Sequence, residues 1–199
     1  MEFKQIVMQR YAARKFDGRR IDDAKVEELL EMIRYACSGL NLQPWKIKVI
    51  ADQALKDKLV HASHGQQQVS NCSHLLVFCA NTDVESHMNM IVDQMRKSGA
   101  PEESIKHIEE MAKGVQTMMT KEQLLAFVQA QVYLPLSNAI HGAKALGFDS
   151  CPMTGFDPAE YARILGLPSN LIPTAVCPIG YAVDAPTPKF RLPKEEIFF

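Results

Sequence analysis

The chain has 199 residues and a mass of 22.3 kDa, with 47% apolar and 23% charged residues. That balance excludes disordered, collagen-like and low-complexity classes, and the length predicts one domain over 1–199 that buries about 70% of its unfolded surface. The 22 basic and 23 acidic residues leave a net charge of −1, which argues against a nucleic-acid partner.

In chain order, Phe3 to Met8 reads as a short helix running into the basic cluster Arg10, Arg14, Lys15, Arg19 and Arg20. Ile21-Asp22-Asp23 supplies an N-cap acceptor, and Val26, Leu29, Leu30, Ile33 and Ala36 follow as one apolar helical stripe. Gly39 is expected to close that helix near Ser38 in a left-handed cap. Trp45 to Ile50 alternates and predicts a half-buried strand, and Asp52 to Ala62 predicts a helix. His64 to Gln68 reads as a loop or helix end.

The continuous apolar run Leu75 to Ala80 suits a central strand covered on both faces. Residues 84–119 read as helical with a break at Ser98-Gly99-Ala100-Pro101. Six of the ten methionines fall there, as gap-filling core or flap, or as an adaptable lining over a ligand site. Glu122 to Leu146 is the longest helix candidate, apolar on several sides and hence central. Phe148 to Gly155 reads as a short strand and turn. Asp157-Pro158 then opens another helix with Asp as N-cap and Pro at the first position. Thr174 to Ala182 is the last strand. Asp184 to Phe199, with prolines at 186, 188 and 193, reads as an extended arm.

No apolar run approaches the roughly 18–20 residues of a membrane span, and the mixed opening MEFKQIVMQRYAARKF is unlike a secretory signal. Cys37, Cys72, Cys79, Cys151 and Cys177 are widely spaced, which argues against a disulfide framework or a zinc site and for a reducing cytoplasm.

No GxSxG, HExxH, P-loop or GxGxxG pattern is present. The six histidines are scattered and read as surface or satisfied polar residues. An anion-binding pattern remains. Arg10 and Arg14, four apart, would share a face on a helical turn and could grip a phosphate. Lys189 and Arg191, two apart in an extended arm, would point to one side and could meet the first pair. Each pair could equally be a solvated face. The segment Ser38-Gly39-Leu40-Asn41-Leu42-Gln43-Pro44-Trp45 is either a capped helix end leading into a strand or a loop that lays backbone and amide groups against a polar ring.

Four motifs in this order resemble the flavin-dependent nitroreductase family over essentially the whole chain: Arg10-Tyr11-Ala12-Ala13-Arg14-Lys15-Phe16, Ser38 to Trp45, Pro152-Met153-Thr154-Gly155-Phe156, and Lys189-Phe190-Arg191-Leu192-Pro193. The resemblance implies a three-layer α-β-α fold of the α+β class with a central mixed sheet, an extended C-terminal arm, and a homodimer binding FMN at its interface. By position, it implies that Arg10, Tyr11, Ala12 and Arg14 contact the phosphate and ribityl end, completed by Lys189 and Arg191. Ser38, Gly39, Leu40 and Asn41 would come from the partner subunit, and Pro152, Met153, Thr154 and Gly155 would edge the flavin ring. Gln68 and Gln131 match polar positions near the ring or ribityl chain. Ala12, Gly39, Leu40, Gln68 and Thr154 differ from commoner family residues, which bears on acceptor choice.

The implied activity is hydride transfer from NADH or NADPH through the flavin to a small-molecule acceptor such as a quinone or nitroaromatic, with no protein nucleophile required. Other readings are a specialised flavin reaction on the same fold, a non-enzymatic flavin-binding protein, or an anion-binding helical protein.

Overall fold

A computed structural model describes residues 1–199, with the side chains of residues 112, 115 and 116 left aside. The element order is α1 (Phe3–Gln9), α2 (Asp23–Arg34), β1 (Trp45–Ile50), α3 (Gln53–Ala62), α4 (Gln68–Asn71), β2 (His74–Asn81), α5 (Val84–Lys97), α6 (Glu102–Met118), α7 (Lys121–Ala145), β3 (Asp149–Ser150), α8 (Pro158–Leu165) and β4 (Leu171–Gly180). The strands form one sheet in the order β1-β2-β4-β3.

Every pairing between these strands is antiparallel, so the expected mixed sheet is met only at its margin, where Ala12 makes an isolated parallel bridge to Ser150. The physical reason lies in the connections. All three pairings join strands running in opposite directions, and the one parallel neighbour is too short to form a ladder.

The central strand explains its own sequence. β2 is buried along its full length. Leu76, Phe78 and Ala80 face a layer built by α2, α5 and α7, while Leu75, Val77 and Cys79 face a second layer built by α3 and α8. A strand covered on both sides has no polar face to alternate with, hence the unbroken apolar run.

Local rules account for most helix ends. Asp22 accepts from the Ala24 N–H, Asp52 from Leu55, Asp83 from Ser86, and Asp157 from both Ala159 and Glu160, with Pro158 at the first helical position. Thr120 and Gln123 form a reciprocal capping box at the start of α7. α7 packs against α1, α2 and all four strands, which makes it the central helix. Its closest approach is to α2: a Cβ on Gly142 would stand 2.7 Å from Leu29 Cδ1 and 3.0 Å from Met32 Sδ. Asn138 Nδ2 also donates to the Met32 carbonyl at 2.8 Å.

The expected end of α2 differs. The helix stops at Arg34, not near Ser38, and Gly39 does not adopt the left-handed conformation. That conformation falls instead on Leu40 (φ +59°), Asn41 (φ +51°) and Gln43 (φ +47°). Lacking a side chain serves Gly39 for closeness: a Cβ there would meet Gln131 Oε1 and the Phe127 ring at 3.4 Å.

One buried polar node ties α3 to the sheet. Lys56, 3% exposed, donates from Nζ to the Cys72 carbonyl at 2.5 Å. The Ser73 hydroxyl accepts from the Ile21 N–H at 2.7 Å and lies 2.9 Å from His74 Nδ1. Burial pushes the buried His74 below the ordinary imidazole range, with Arg20 and Lys56 adding to it and Asp23 opposing; burial and Lys46 lower His87 in the same direction. An unfolded chain therefore binds protons below about pH 6.5 that the folded chain refuses. Stability is complete above that pH and falls as the pH drops through it, by up to about 1.4 kcal/mol per pH unit for each histidine. The urea midpoint is expected to fall between pH 7 and pH 5. A flat profile over that window contradicts the assignment.

Candidate functional site

The basic residues meet at the C-terminal end of α1. The helix stops at Gln9, and Arg10 caps it in extended backbone, so Arg10 and Arg14 do not share a helical face as their spacing suggested. Residues 12 and 16 are instead drawn into the sheet margin by bridges to Ser150 and Ala182. Lys189, from the C-terminal arm, donates from Nζ to the carbonyls of Val7 (2.8 Å) and Met8 (2.6 Å), the free acceptors at the end of α1. Arg191 lies close enough to act on both Arg10 and Lys189. Burial and then Arg191 push the Arg10 guanidinium below its ordinary value; loss of water, then Arg10 and Arg191, do the same to the Lys189 ammonium. Arg10 Nε is buried and has no hydrogen-bond partner. Three cations thus converge with no salt bridge to a carboxylate among the described residues.

Arg14 stands apart from this group. Its backbone N–H donates to Asp184 Oδ2 at 2.9 Å, and the Tyr11 hydroxyl donates to the Asp184 carbonyl at 2.6 Å. These bonds fix the root of the arm against the segment after α1. Ala12 is exposed, and its neighbour Ala13 donates to the Ser150 carbonyl at 3.1 Å, which sets this segment beside the Pro152–Gly155 turn.

That turn is held at both ends. Met153 and Val176 exchange two backbone hydrogen bonds, at 2.8 and 2.9 Å. Gln66 Nε2 donates to the Gly155 carbonyl at 2.8 Å, and the buried Gln68 donates to Gln66 Oε1 at 3.0 Å and lies 3.6 Å from Met153 Sδ. Thr154 and Gly155 are exposed between these supports. Gln66 was invisible in the sequence, since a glutamine in a loop carries no pattern of its own. The adjacent Cys151 thiol is buried and pushed up to about 11 by burial, so it is no nucleophile.

The second group of residues lies on the 38–43 loop. Gly39 N–H donates to Gln131 Oε1 at 2.7 Å, Gln43 N–H to Ser38 Oγ at 2.9 Å, and Gln43 Nε2 to the Asn41 carbonyl and side chain at 3.2 Å. These bonds hold three non-glycine residues in a conformation that costs about 1–3 kcal/mol each, a cost commonly met at functional sites. Gln131 sits four residues before Pro135, which has no N–H to give back to the Gln131 carbonyl, so α7 is weakened at the point that holds the loop. A cleft of about 360 Å³ opens beside the loop, lined by Asn41, Gln43, Trp45 and His87 with Met90 and Met95 of α5. Met88 lies in the core and Met118 is exposed, so the methionines divide among core, cleft and surface.

No hydrogen bond among the described residues joins the 38–43 loop to the cationic group or to the Pro152–Gly155 turn. One chain therefore carries two separate candidate partial sites: a cationic group beside a rigid turn, and a strained loop braced by Gln131.

An antiparallel sheet between two helical layers defines an α+β protein, with a cationic group at the end of its first helix that makes no salt bridge among the described residues. The chain belongs to the nitroreductase family: residues 7–181 match the model described as "Nitroreductase family". It is similar to a Thermus thermophilus protein named "NADH dehydrogenase", 30% identical over 99% of this chain and 95% of the relative. It is similar at 30% identity to a Staphylococcus haemolyticus protein named "Putative NAD(P)H nitroreductase", over 94% and 92% of the two chains. A crystal structure from Exiguobacterium sibiricum, described as "a putative nitroreductase in complex with FMN", superposes with a TM-score of 0.88 at 25% identity over 99% and 96%.

Proposed function

We propose that this chain is an FMN-dependent oxidoreductase that uses NADH or NADPH to reduce small electron-poor acceptors such as quinones and nitroaromatics. The observation that carries the reading is the convergence of Arg10, Lys189 and Arg191 around a buried, unpartnered Arg10 Nε. Such a cluster needs an anion, and a phosphomonoester fits it through charge-assisted hydrogen bonds. Arg10, Lys189 and Arg191 would hold the FMN phosphate, and Tyr11, Ala12 and Arg14 would line the segment leading from it. Pro152, Met153, Thr154 and Gly155 would edge the ring, with backbone fixed by Val176 and Gln66 so that an N–H keeps one orientation through turnover. Gln68 supports that turn from beneath. When bound, FMN supplies two-electron hydride chemistry, and the protein contributes binding, orientation and exclusion of water. Donor and acceptor occupying the same space in turn would give ping-pong kinetics.

Ser38, Gly39, Leu40 and Asn41, braced by Gln131, would complete the site from a second copy of the chain. The separation of the two partial sites within one chain supports this, and so does the arm. Phe190 and Phe198 are 82% and 72% exposed, and Leu192, Ile197 and Phe199 are also uncovered. Apolar groups at that density call for a partner surface. Buried thiols with no bridge suit a reducing cytoplasm.

The purified chain is expected to be yellow or to become so with FMN, to bleach with NADH or NADPH, and to recover colour with a quinone. A protein that takes up no flavin, or whose flavin neither nucleotide reduces, refutes the reading. Truncation after Pro193 spares Lys189 and Arg191. It is expected to shift the solution mass toward monomer or to make the thermal midpoint depend more steeply on protein concentration. A truncated chain that stays dimeric, yellow and equally stable shows that the last six residues play no part in assembly.

A further inference from the structure

A fourth titratable group lies near the cationic group. His141 lies on α7, its Nδ1 3.3 Å from Ser137 Oγ one turn earlier, and its ring packs on Phe3 with centroids 5.6 Å apart. Phe3 and Val7 are one turn apart on α1, so both lie on one side of that helix. Lys189 grips the Val7 and Met8 carbonyls, and Arg10 follows at the helix end. His141 therefore packs on the side of α1 that also carries Val7, one turn before the carbonyls that Lys189 grips. Arg10 from the segment after α1 and Lys189 from the arm both act on it, Arg191 acts on those two, and its own helix offers only the Ser137 backbone and hydroxyl. No carboxylate figures among the groups acting on it. Burial first and Arg10 second hold the imidazole below its ordinary value, with Lys189 adding to them and the Ser137 carbonyl opposing.

We propose that His141 is a proton-accepting fourth member of the cradle: a phosphomonoester dianion held by Arg10, Lys189 and Arg191 draws one proton from solvent onto the imidazole, so that ligand loading and proton uptake are a single linked event. The inference rests on the FMN reading. Its chemistry is elementary. The cations that keep the ring neutral are themselves neutralised by the anion, and the ring's own positive charge then meets a negative neighbour. Linkage is reciprocal, so if the anion favours the proton, the proton favours the anion. Above pH 7 the phosphomonoester, with its second ionisation near 6, is already a dianion and contributes no proton of its own. Any uptake there belongs to the protein. FMN affinity should rise as the pH falls from 8.5 to 7, by up to about tenfold per pH unit for one linked proton.

The full-length chain freed of flavin is titrated by calorimetry at pH 7.5 with FMN and with riboflavin, which lacks the phosphate, in two buffers of different ionisation enthalpy. Net proton uptake is expected with FMN and none with riboflavin. His141→Gln keeps a hydrogen-bonding side chain of similar reach but cannot take the proton. It is expected to bind FMN with no uptake and with a flat pH dependence. In wild type the proton NMR signal of the His141 ring should titrate at higher pH with FMN bound than without it. Lys189 is the other group able to take a proton, and uptake undiminished in His141→Gln assigns it there and overturns the proposal. An unmoved ring titration overturns it too. FMN that binds without proton uptake sinks this inference alone, whereas failure to bind FMN at all sinks the cofactor reading and this with it.

Discussion

Arg10→Ala is expected to weaken FMN binding by roughly ten- to a hundredfold, because a hydrogen bond to a charged group is worth about 1.5–3 kcal/mol. Arg10 is the member of the cradle whose donor is buried and unsatisfied, so it gains most from an anion. Its removal also relieves the repulsion felt by Lys189, which offsets part of the loss. Fluorescence titration of the flavin-free chain measures this directly, and riboflavin serves as the control. Riboflavin affinity should change little, since the phosphate contact is what the substitution removes. Equal loss for both ligands would place Arg10 against the ring or the ribityl chain, and unchanged FMN affinity would place the phosphate elsewhere.

Phe78→Ala is expected to destabilise the fold by about 3–5 kcal/mol. Phe78 has no exposed surface and stands in the middle of β2, opposite Ile47 on β1 and Ala175 on β4. Its ring fills the layer between the sheet and the α2, α5 and α7 helices. Neighbours drawn from two strands and three helices cannot all move inward at once, so the cavity stays open. For a chain of this size the thermal midpoint should fall by roughly 6–20 °C. The flavin-free chain is the one to measure, because bound ligand would mask part of the loss. A fall of under 1 kcal/mol would mean that the helices close over the gap.

What the sequence reveals is what local rules decide. The Asp22 and Asp157 caps, the Pro158 start, the α2 stripe and the uninterrupted β2 run can all be read directly, because each follows from neighbours within a few residues. The misreadings come from positions where tertiary bonds override local preference. Gly39 was given the left-handed turn because glycine adopts it without strain. The structure puts the strain on Leu40, Asn41 and Gln43 and uses Gly39 for its lack of bulk against α7. The Arg10–Arg14 spacing suggested a helical face, yet bridges from residues 12 and 16 to the sheet margin pull the chain straight. Single-turn α4 is too short for any periodicity to show. Gln66 and His141 left no trace, because their neighbours lie 89 and 138 residues away, at Gly155 and Phe3.

The sheet's pairing pattern also dictates when the protein can become whole. β1 and β2 are close in sequence, but β2 finds its other neighbour, β4, only after 90 residues or more, from Asn81↔Leu171 to His74↔Ile179. At ordinary synthesis rates of roughly 5–20 residues per second, the largely apolar β2 edge emerges from the ribosome some five to eighteen seconds before the strand that covers it. During that interval the nascent chain carries an unpaired edge of the kind that seeds intermolecular pairing. The intervening helices α5, α6 and α7 are made during that interval and can shelter it. Codon choice or chaperone supply over residues 84–145 should therefore govern the soluble yield of this protein more strongly than the same changes in its first seventy residues.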